Sequence, residues 1–175
     1  MSRHSKVLSL ALLAFGLVAI PRTSPAVGTI WGAITTGSND RYQVLANFNG
    51  QAVLDWETGL IWEQCPDLSD DRFWAGALTR CYTLIKGGRS GWRAPTLEEL
   101  RSLGDPNNNP FLPASNPFCS MSFDPQFSRF WTSTTSETNS ASAHQVVPSN
   151  AASHGTSDKS NSYPIWCVRG GALHR

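Results

Sequence analysis

A strand-to-helix corner, Gly91-Trp92-Arg93-Ala94-Pro95-Thr96-Leu97-Glu98-Glu99-Leu100, constrains this chain more than any other stretch. Trp92 and Arg93 read as a short strand, and Pro95 disfavours helical backbone at Ala94. Thr96 followed three residues later by Glu99 is a capping box, in which each side chain satisfies an orphan backbone N–H at a helix start. Leu97, Leu100 and Leu103 then offer one apolar stripe to a core. Arg93 holds the one charge this local chemistry leaves unassigned, and a buried acidic partner is expected for it. Trp92 reads as core and Glu98 as solvated.

The N-terminus predicts a secretory signal. Arg3 and Lys6 precede an apolar run from Val7 to Ile20, Pro21 breaks it, and Ser24-Pro25-Ala26 supplies small residues for cleavage. The run is shorter than the roughly 20 residues that span a bilayer. No stable membrane insertion is therefore expected once residues 1–26 are removed, and the chain is expected in the periplasm or outside the cell. Residues 27–41 read as an extended lead-in, 42–171 as one domain and 172–175 as a tail. Removing Arg3, Lys6 and Arg22 from the 14 basic residues leaves eleven against 13 acidic, a charge of about −2. No basic run is present, which argues against nucleic acid as a partner.

Four cysteines, Cys65, Cys81, Cys119 and Cys167, in an exported chain predict two disulfides. Three pairings are possible. Cys65–Cys81 and Cys119–Cys167 are favoured, because the first two flank one local unit and the last two lie in the C-terminal half. Zinc is disfavoured, since no C-x-x-C spacing occurs.

Arg41 to Leu45 reads as a short strand. Gln51 to Gln64 reads as a hairpin with a tight Glu57-Thr58-Gly59 corner, Trp56 and Trp62 being cross-strand or core residues. A helix is predicted from Asp71 to Ile85, with Trp74, Ala77, Leu78, Cys81, Leu84 and Ile85 on one face. Asp70 is its expected cap and Gly87-Gly88 its stop. A second helix follows from Leu97 to Leu103. An irregular stretch from Gly104 to Ser128 contains five prolines. Loops this long inside a compact domain are uncommon and often functional. Arg129–Thr134, Ala143–Val147 and Pro164–Arg169 read as strands. The order predicts an α+β domain with an antiparallel sheet, two helices and a long irregular loop.

Four pieces in order carry a family resemblance. They are Val53-Leu54-Asp55 through Thr58-Gly59-Leu60-Ile61-Trp62, Gly91-Trp92-Arg93-Ala94-Pro95-Thr96 with Glu99-Leu100, Phe130-Trp131-Thr132-Ser133-Thr134, and Cys167-Val168-Arg169-Gly170. In these the chain resembles the Lcl C-terminal-like family, named for the terminal domain of a bacterial collagen-like adhesin, over Tyr42 to Gly171. Ala94 stands where the family usually has Leu, and Thr132 where Ser is common. The resemblance implies a C-type-lectin-like fold, related in architecture to formylglycine-generating enzymes. The namesake is similar to an adhesin that binds sulfated polysaccharide, so glycan binding transfers as a class and not as a ligand.

Catalysis finds little to work with. His144, His154 and His174 are the only histidines after residue 26, and no Gly-x-Ser-x-Gly elbow occurs. His144 and His154 can approach across a hairpin, and with Asp158 would make a metal site, but a solvated surface pair is the favoured reading. Cys119 and Cys167 read as a structural bridge, not as an oxidase pair. Asp105-Pro106-Asn107 is an oxygen-rich stretch that suits weak calcium binding, though an Asx-turn is favoured. No enzyme activity, cofactor or metal is expected. If the domain binds a glycan or surface protein, the long loop offers the best surface: Asn107, Asn108, Asn109 and Asn116 supply amide donors and acceptors, and Phe111 and Phe118 supply rings to stack on a sugar, with core positions as the alternative for both. The rival expectation is a structural, envelope-associated protein without a small-molecule ligand.

Overall fold

Strand β1 (Tyr42–Val44) opens an antiparallel sheet, continued by β2 (Ala52–Asp55) and β3 (Ile61–Glu63) and closed by the C-terminal strand β9 (Val168–Arg169), in the order β1-β2-β3-β9. The computed structural model describes residues 41–104, 111–113, 116–119, 128–148 and 153–170. The β2–β3 pairing sets Val53 opposite Trp62, so both point into the core, where each is fully buried. Strict alternation along β2 then turns Asp55 inward with Val53, while Trp56 lies past the end of the strand, in the 56–58 turn. Trp62 is a core residue as expected, but Trp56 is 47% exposed, which corrects the reading of it as cross-strand or core.

A second pairing joins β4 (Arg72–Phe73) to β8 (Ser162–Tyr163), and a third sheet has the order β5-β6-β7, from Phe130–Thr135, Ser142–Val147 and Ser153–Asp158. The architecture is α+β with antiparallel pairing throughout, spread over three sheets among the described residues instead of the one expected. Helix α1 spans Trp74–Thr83 and helix α2 Leu97–Ser102. Helix α1 starts later than the periodicity suggests, because Arg72 and Phe73 are held as a strand by β8. Asp70 is therefore no cap: it pairs with the Arg72 guanidinium at 2.8 Å, and Phe73 takes the N-cap position without a side-chain bond. The helix ends before Gly87-Gly88, with Leu84 extended at its C-cap. Ile85 lies beyond the helix and is exposed, as is Tyr82, so the buried stripe of α1 is narrower than expected.

The opening corner is built as its chemistry requires. Thr96 Oγ1 accepts from Glu99 N at 3.2 Å, and a Glu99 carboxylate oxygen accepts from Thr96 N at 2.9 Å. Leu97, Leu100 and Leu103 are all buried. Arg93 forms an isolated bridge with Val168, which ties the corner to the last strand.

Two apolar clusters make the core. One gathers Leu97, Leu100 and Leu103 with Trp62, Phe118, Phe130 and Trp166, whose ring meets those of Trp62, Phe118 and Phe130 at 6.1, 5.0 and 5.7 Å. The other joins Ala77 and Cys81 of α1 to Trp92, Trp131 and Ile165. A buried indole removes on the order of 200 Å² from water, roughly 5 kcal/mol at about 25 cal/mol/Å². Four tryptophans are almost wholly buried, so they dominate the driving force.

The disulfides are Cys65–Cys119 and Cys81–Cys167, which overturns the favoured pairing of neighbours. Helix α1 presents Cys81 to the second cluster, beneath the segment that leads into β9, and so meets Cys167. Cys65, just past β3, is left to hold the long loop at Cys119.

Candidate binding surface

Asp55, Arg93 and Glu99 of the family-like motifs, and the neighbouring Glu63, are each held by a charged partner. Asp55 is fully buried and accepts from Arg41 Nε and Nη2 at 2.9 and 2.8 Å, from Glu57 N at 3.0 Å and from Thr58 Oγ1 at 2.9 Å. Its carboxylate therefore shapes the corner. Glu63, also fully buried, takes Arg80 Nη1 and Nη2 at 2.8 and 3.0 Å and Lys86 Nζ at 2.7 Å. Arg93 grips Glu99 through two bonds at 2.7 and 2.6 Å and donates to Gly170 O at 2.7 Å; its partner is acidic as expected, but the pair is half-buried, with side chains 40% and 21% exposed, instead of buried. Burial alone would raise the Glu99 pKa, but the Arg93 guanidinium and the Thr96 groups outweigh it and hold the carboxyl below its ordinary range. Glu98 is solvated.

Against this inward-turned chemistry, Trp56 stands out. Its backbone N–H donates to Arg41 O at 2.9 Å. The Arg41 guanidinium bridges Asp55 and Glu57, and also donates to Ser102 O. The neighbouring Tyr42 hydroxyl donates to Leu103 O, and its ring meets Phe118 edge-on at 5.3 Å. Burial pushes the Tyr42 phenol well above its usual pKa, so it stays a neutral donor. Ser102 and Leu103 are the residues from which the long loop departs. The Arg41–Tyr42 pair thus holds the residues from which the loop departs, while Trp56, tied to Arg41 by its backbone N–H, has its ring exposed.

The loop itself is anchored from below. Phe111, Leu112 and Phe118 are buried in the first core cluster, so Phe111 and Phe118 take the core alternative and are not rings for a sugar platform. At Gly104 a Cβ would lie 2.4 Å from the Phe111 ring, so only glycine admits this approach. The Gln64 side chain donates to Pro117 O at 3.1 Å, and Cys119 N donates to Gln64 O at 3.2 Å beside the Cys65–Cys119 bridge. Asn116 spends its amide within the loop: Nδ2 donates to Pro113 O at 2.8 Å and Oδ1 accepts from Phe118 N at 3.0 Å. Asn107, Asn108 and Asn109, with Asp105 and Pro106, lie outside the described residues.

The histidines do meet. The His144 and His154 rings stand 6.1 Å apart on β6 and β7. His144 is buried, not solvated, and its Nε2 lies 3.0 Å from a Glu137 carboxylate oxygen. Asp158 is not brought to them; it pairs with Ser142 in the ladder and accepts from Ser160 N at 2.8 Å. Among the described residues no three His, Cys, Asp or Glu side chains are grouped to hold a metal ion. No helix among them is long and apolar enough to cross a membrane.

Trp56 is the surface residue that sequence reasoning missed. Alternation alone did not mark it: the face opposite Val53 is itself covered at Ala52 and Ile61, and Trp56 is exposed because it lies past the end of β2, in the 56–58 turn. A family model described as Lcl C-terminal domain matches residues 51–169. No curated protein matches the chain.

Proposed function

The chain belongs to the Lcl C-terminal domain family, and on that premise we propose that it is an exported, non-enzymatic binding or adhesion-type domain of C-type-lectin-like fold, acting on a glycan or a surface protein. The residues assigned to recognition are the exposed Trp56 and, in the stretch that follows α2, Asn107, Asn108 and Asn109. One observation carries this reading. Asp55, Arg93 and Glu99 of the motifs, with the neighbouring Glu63, are committed to internal partners, while the large amphipathic Trp56 is 47% exposed.

An indole face suits the C–H surface of a sugar ring, and its rigidity keeps the ordering cost low. The Cys65–Cys119 disulfide and the buried Phe111, Leu112 and Phe118 anchor this stretch at those residues, and anchoring of that kind lowers the entropy lost on binding. The return of β9 to the N-terminal hairpin supports the lectin-like fold. The predicted signal at residues 1–26, together with the two disulfides, supports the periplasm or the extracellular medium as its location.

A glycan array with and without calcium, followed by titration of any hit, tests the reading. Binding is expected to fall at least tenfold in Trp56→Ala and in the Asn107→Ala, Asn109→Ala double variant. Binding that survives both sets of substitutions removes this surface from consideration. An array and a surface-protein screen that both stay blank favour the structural, envelope-associated alternative.

A further inference from the structure

The face of the third sheet that turns Val146 into the core also carries two imidazoles. The ladder sets His144 opposite Thr156 and Val146 opposite His154, so His144 and His154 are diagonal neighbours on that face. His144 is only 9% exposed, whereas His154 is exposed. Their rings stand 6.1 Å apart with planes tilted by 43°, too far for face-to-face stacking. His144 is satisfied on one side only. Its Nε2 lies 3.0 Å from a Glu137 carboxylate oxygen. An ionised carboxylate only accepts, so Nε2 carries the proton, and Nδ1 of the neutral ring keeps a bare lone pair. That Nδ1 is screened from solvent and has no hydrogen-bond partner among the described residues. Buried polar atoms are nearly always paired, so an orphaned one calls for a partner. A carboxylate on one imidazole nitrogen and a free lone pair on the other is also how histidine metal ligands are set. The carboxylate fixes the tautomer and raises the basicity of the ligating nitrogen.

We propose that His144, through Nδ1, and His154 together hold one late first-row divalent cation, Zn²⁺, Cu²⁺ or Ni²⁺, with Glu137 as the positioning residue. The ring spacing suits this. Metal–nitrogen bonds of about 2.0–2.1 Å place the centroids of two imidazoles on one ion about 5.2 Å apart at a tetrahedral angle and about 6.4 Å apart at a linear one. The observed 6.1 Å lies within that interval, and the exposed His154 side chain has room to turn toward the smaller angle. Imidazole donors select these ions over Ca²⁺ and Mg²⁺, which take oxygen ligands. All four cysteines are in disulfides, so no thiolate competes for the ion. No third His, Cys, Asp or Glu ligand is grouped with the pair among the described residues. Two protein nitrogens therefore leave at least two positions on the ion for water or for a donor atom of a bound ligand.

Calorimetric titration of the untagged chain with ZnCl₂, NiCl₂ and CaCl₂, from roughly 1 μM to 1 mM metal, covers the affinities of such a two-nitrogen site. The metal alone is the probe, so the outcome is independent of any glycan. A His4→Ala/His174→Ala parent removes the two other histidines of the chain, and circular dichroism checks folding. One site is expected for Zn²⁺ and for Ni²⁺, and none for Ca²⁺. His154 and Glu137 are both exposed, so neither substitution threatens the core. His154→Ala is expected to weaken binding at least tenfold, and Glu137→Gln by roughly ten- to a hundredfold, the usual cost of losing a carboxylate behind a ligating histidine. Electron paramagnetic resonance of the Cu²⁺ form is expected to show two imidazole nitrogens in the parent and one in His154→Ala. A parent that binds neither Zn²⁺ nor Ni²⁺ below 1 mM overturns the proposal, as does one that holds Ca²⁺ as tightly. So does a His154→Ala variant that binds like its parent, or a Glu137→Gln variant of unchanged affinity.

Discussion

Replacing Glu63 by glutamine removes one charge from the centre of the domain and little else. The carboxylate is fully buried and accepts three charge-assisted bonds, two from Arg80 and one from Lys86. Glutamine keeps the shape and one acceptor, but it turns an amide donor toward a cation that is itself only a donor. Removing one partner of a buried ion pair costs about 3–5 kcal/mol, because the remaining charge is left desolvated. The Arg80 and Lys86 side chains keep 14% and 24% exposure, so water relieves part of that cost. The lower end, about 3 kcal/mol, is the expected loss. Set against a total stability of about 5–15 kcal/mol, it shifts Tm by roughly 10 °C. Urea unfolding with the disulfides intact, followed by tryptophan fluorescence, measures it, and Glu98→Gln on the exposed face of α2 serves as the unchanged control. Adding Lys86→Met to the Glu63→Gln variant should recover stability, a coupling visible only if the two groups share one desolvated site. A loss below about 1 kcal/mol would refute the claim that the Glu63 carboxylate is held out of water by its partners.

Glu99 gives a pH signature. Its folded pKa is depressed by Arg93 and Thr96, so it contributes stability above the ordinary glutamate pKa of about 4.3, and that contribution is lost as pH falls through the folded value. Glu99→Gln is expected to be less stable at pH 7 and to lose less than wild type between pH 5 and acid, measured as urea midpoints across the range. Gly87 adopts φ +59°, and a Cβ there would lie 2.2 Å from Phe48 O. Gly87→Ala should therefore cost well over the roughly 1 kcal/mol of a merely strained left-handed residue, read from the same unfolding curves.

How much of this was legible in the sequence depends on the range of the interactions. Thr96, Glu99 and the Leu97-Leu100-Leu103 stripe are readable because their partners lie within one turn. Asp55 at the hairpin corner is local in the same way. Strand β7 is not readable: Ser, His, Gly, Thr, Ser and Asp make a turn-like composition, and it is the ladder with β6 that holds them extended. The first residues predicted for α1 fail similarly, since β8, about 90 residues later, takes Arg72 and Phe73 into a strand. Proximity in sequence misled the cysteine pairing, because closing a longer loop costs only about 0.6 kcal/mol per doubling. The direction in which α1 points Cys81 decides instead. At the candidate surface, Trp56 is exposed in the turn past β2, whereas Asn116, Phe111 and Phe118 turn inward through contacts that composition does not display.

The two bridges also set how the domain behaves under load. In chain order they interleave, Cys65 to Cys119 across Cys81 to Cys167. Tension applied between Arg41 and Gly170 runs along the backbone to Cys81, crosses to Cys167 and reaches the end almost at once. Even a fully unravelled domain then lengthens to only about 150 Å, against roughly 440 Å for the same stretch with its thiols reduced, at about 3.4 Å per residue. The oxidised domain is a short tether that reaches full extension early, and reduction turns it into one nearly three times as long.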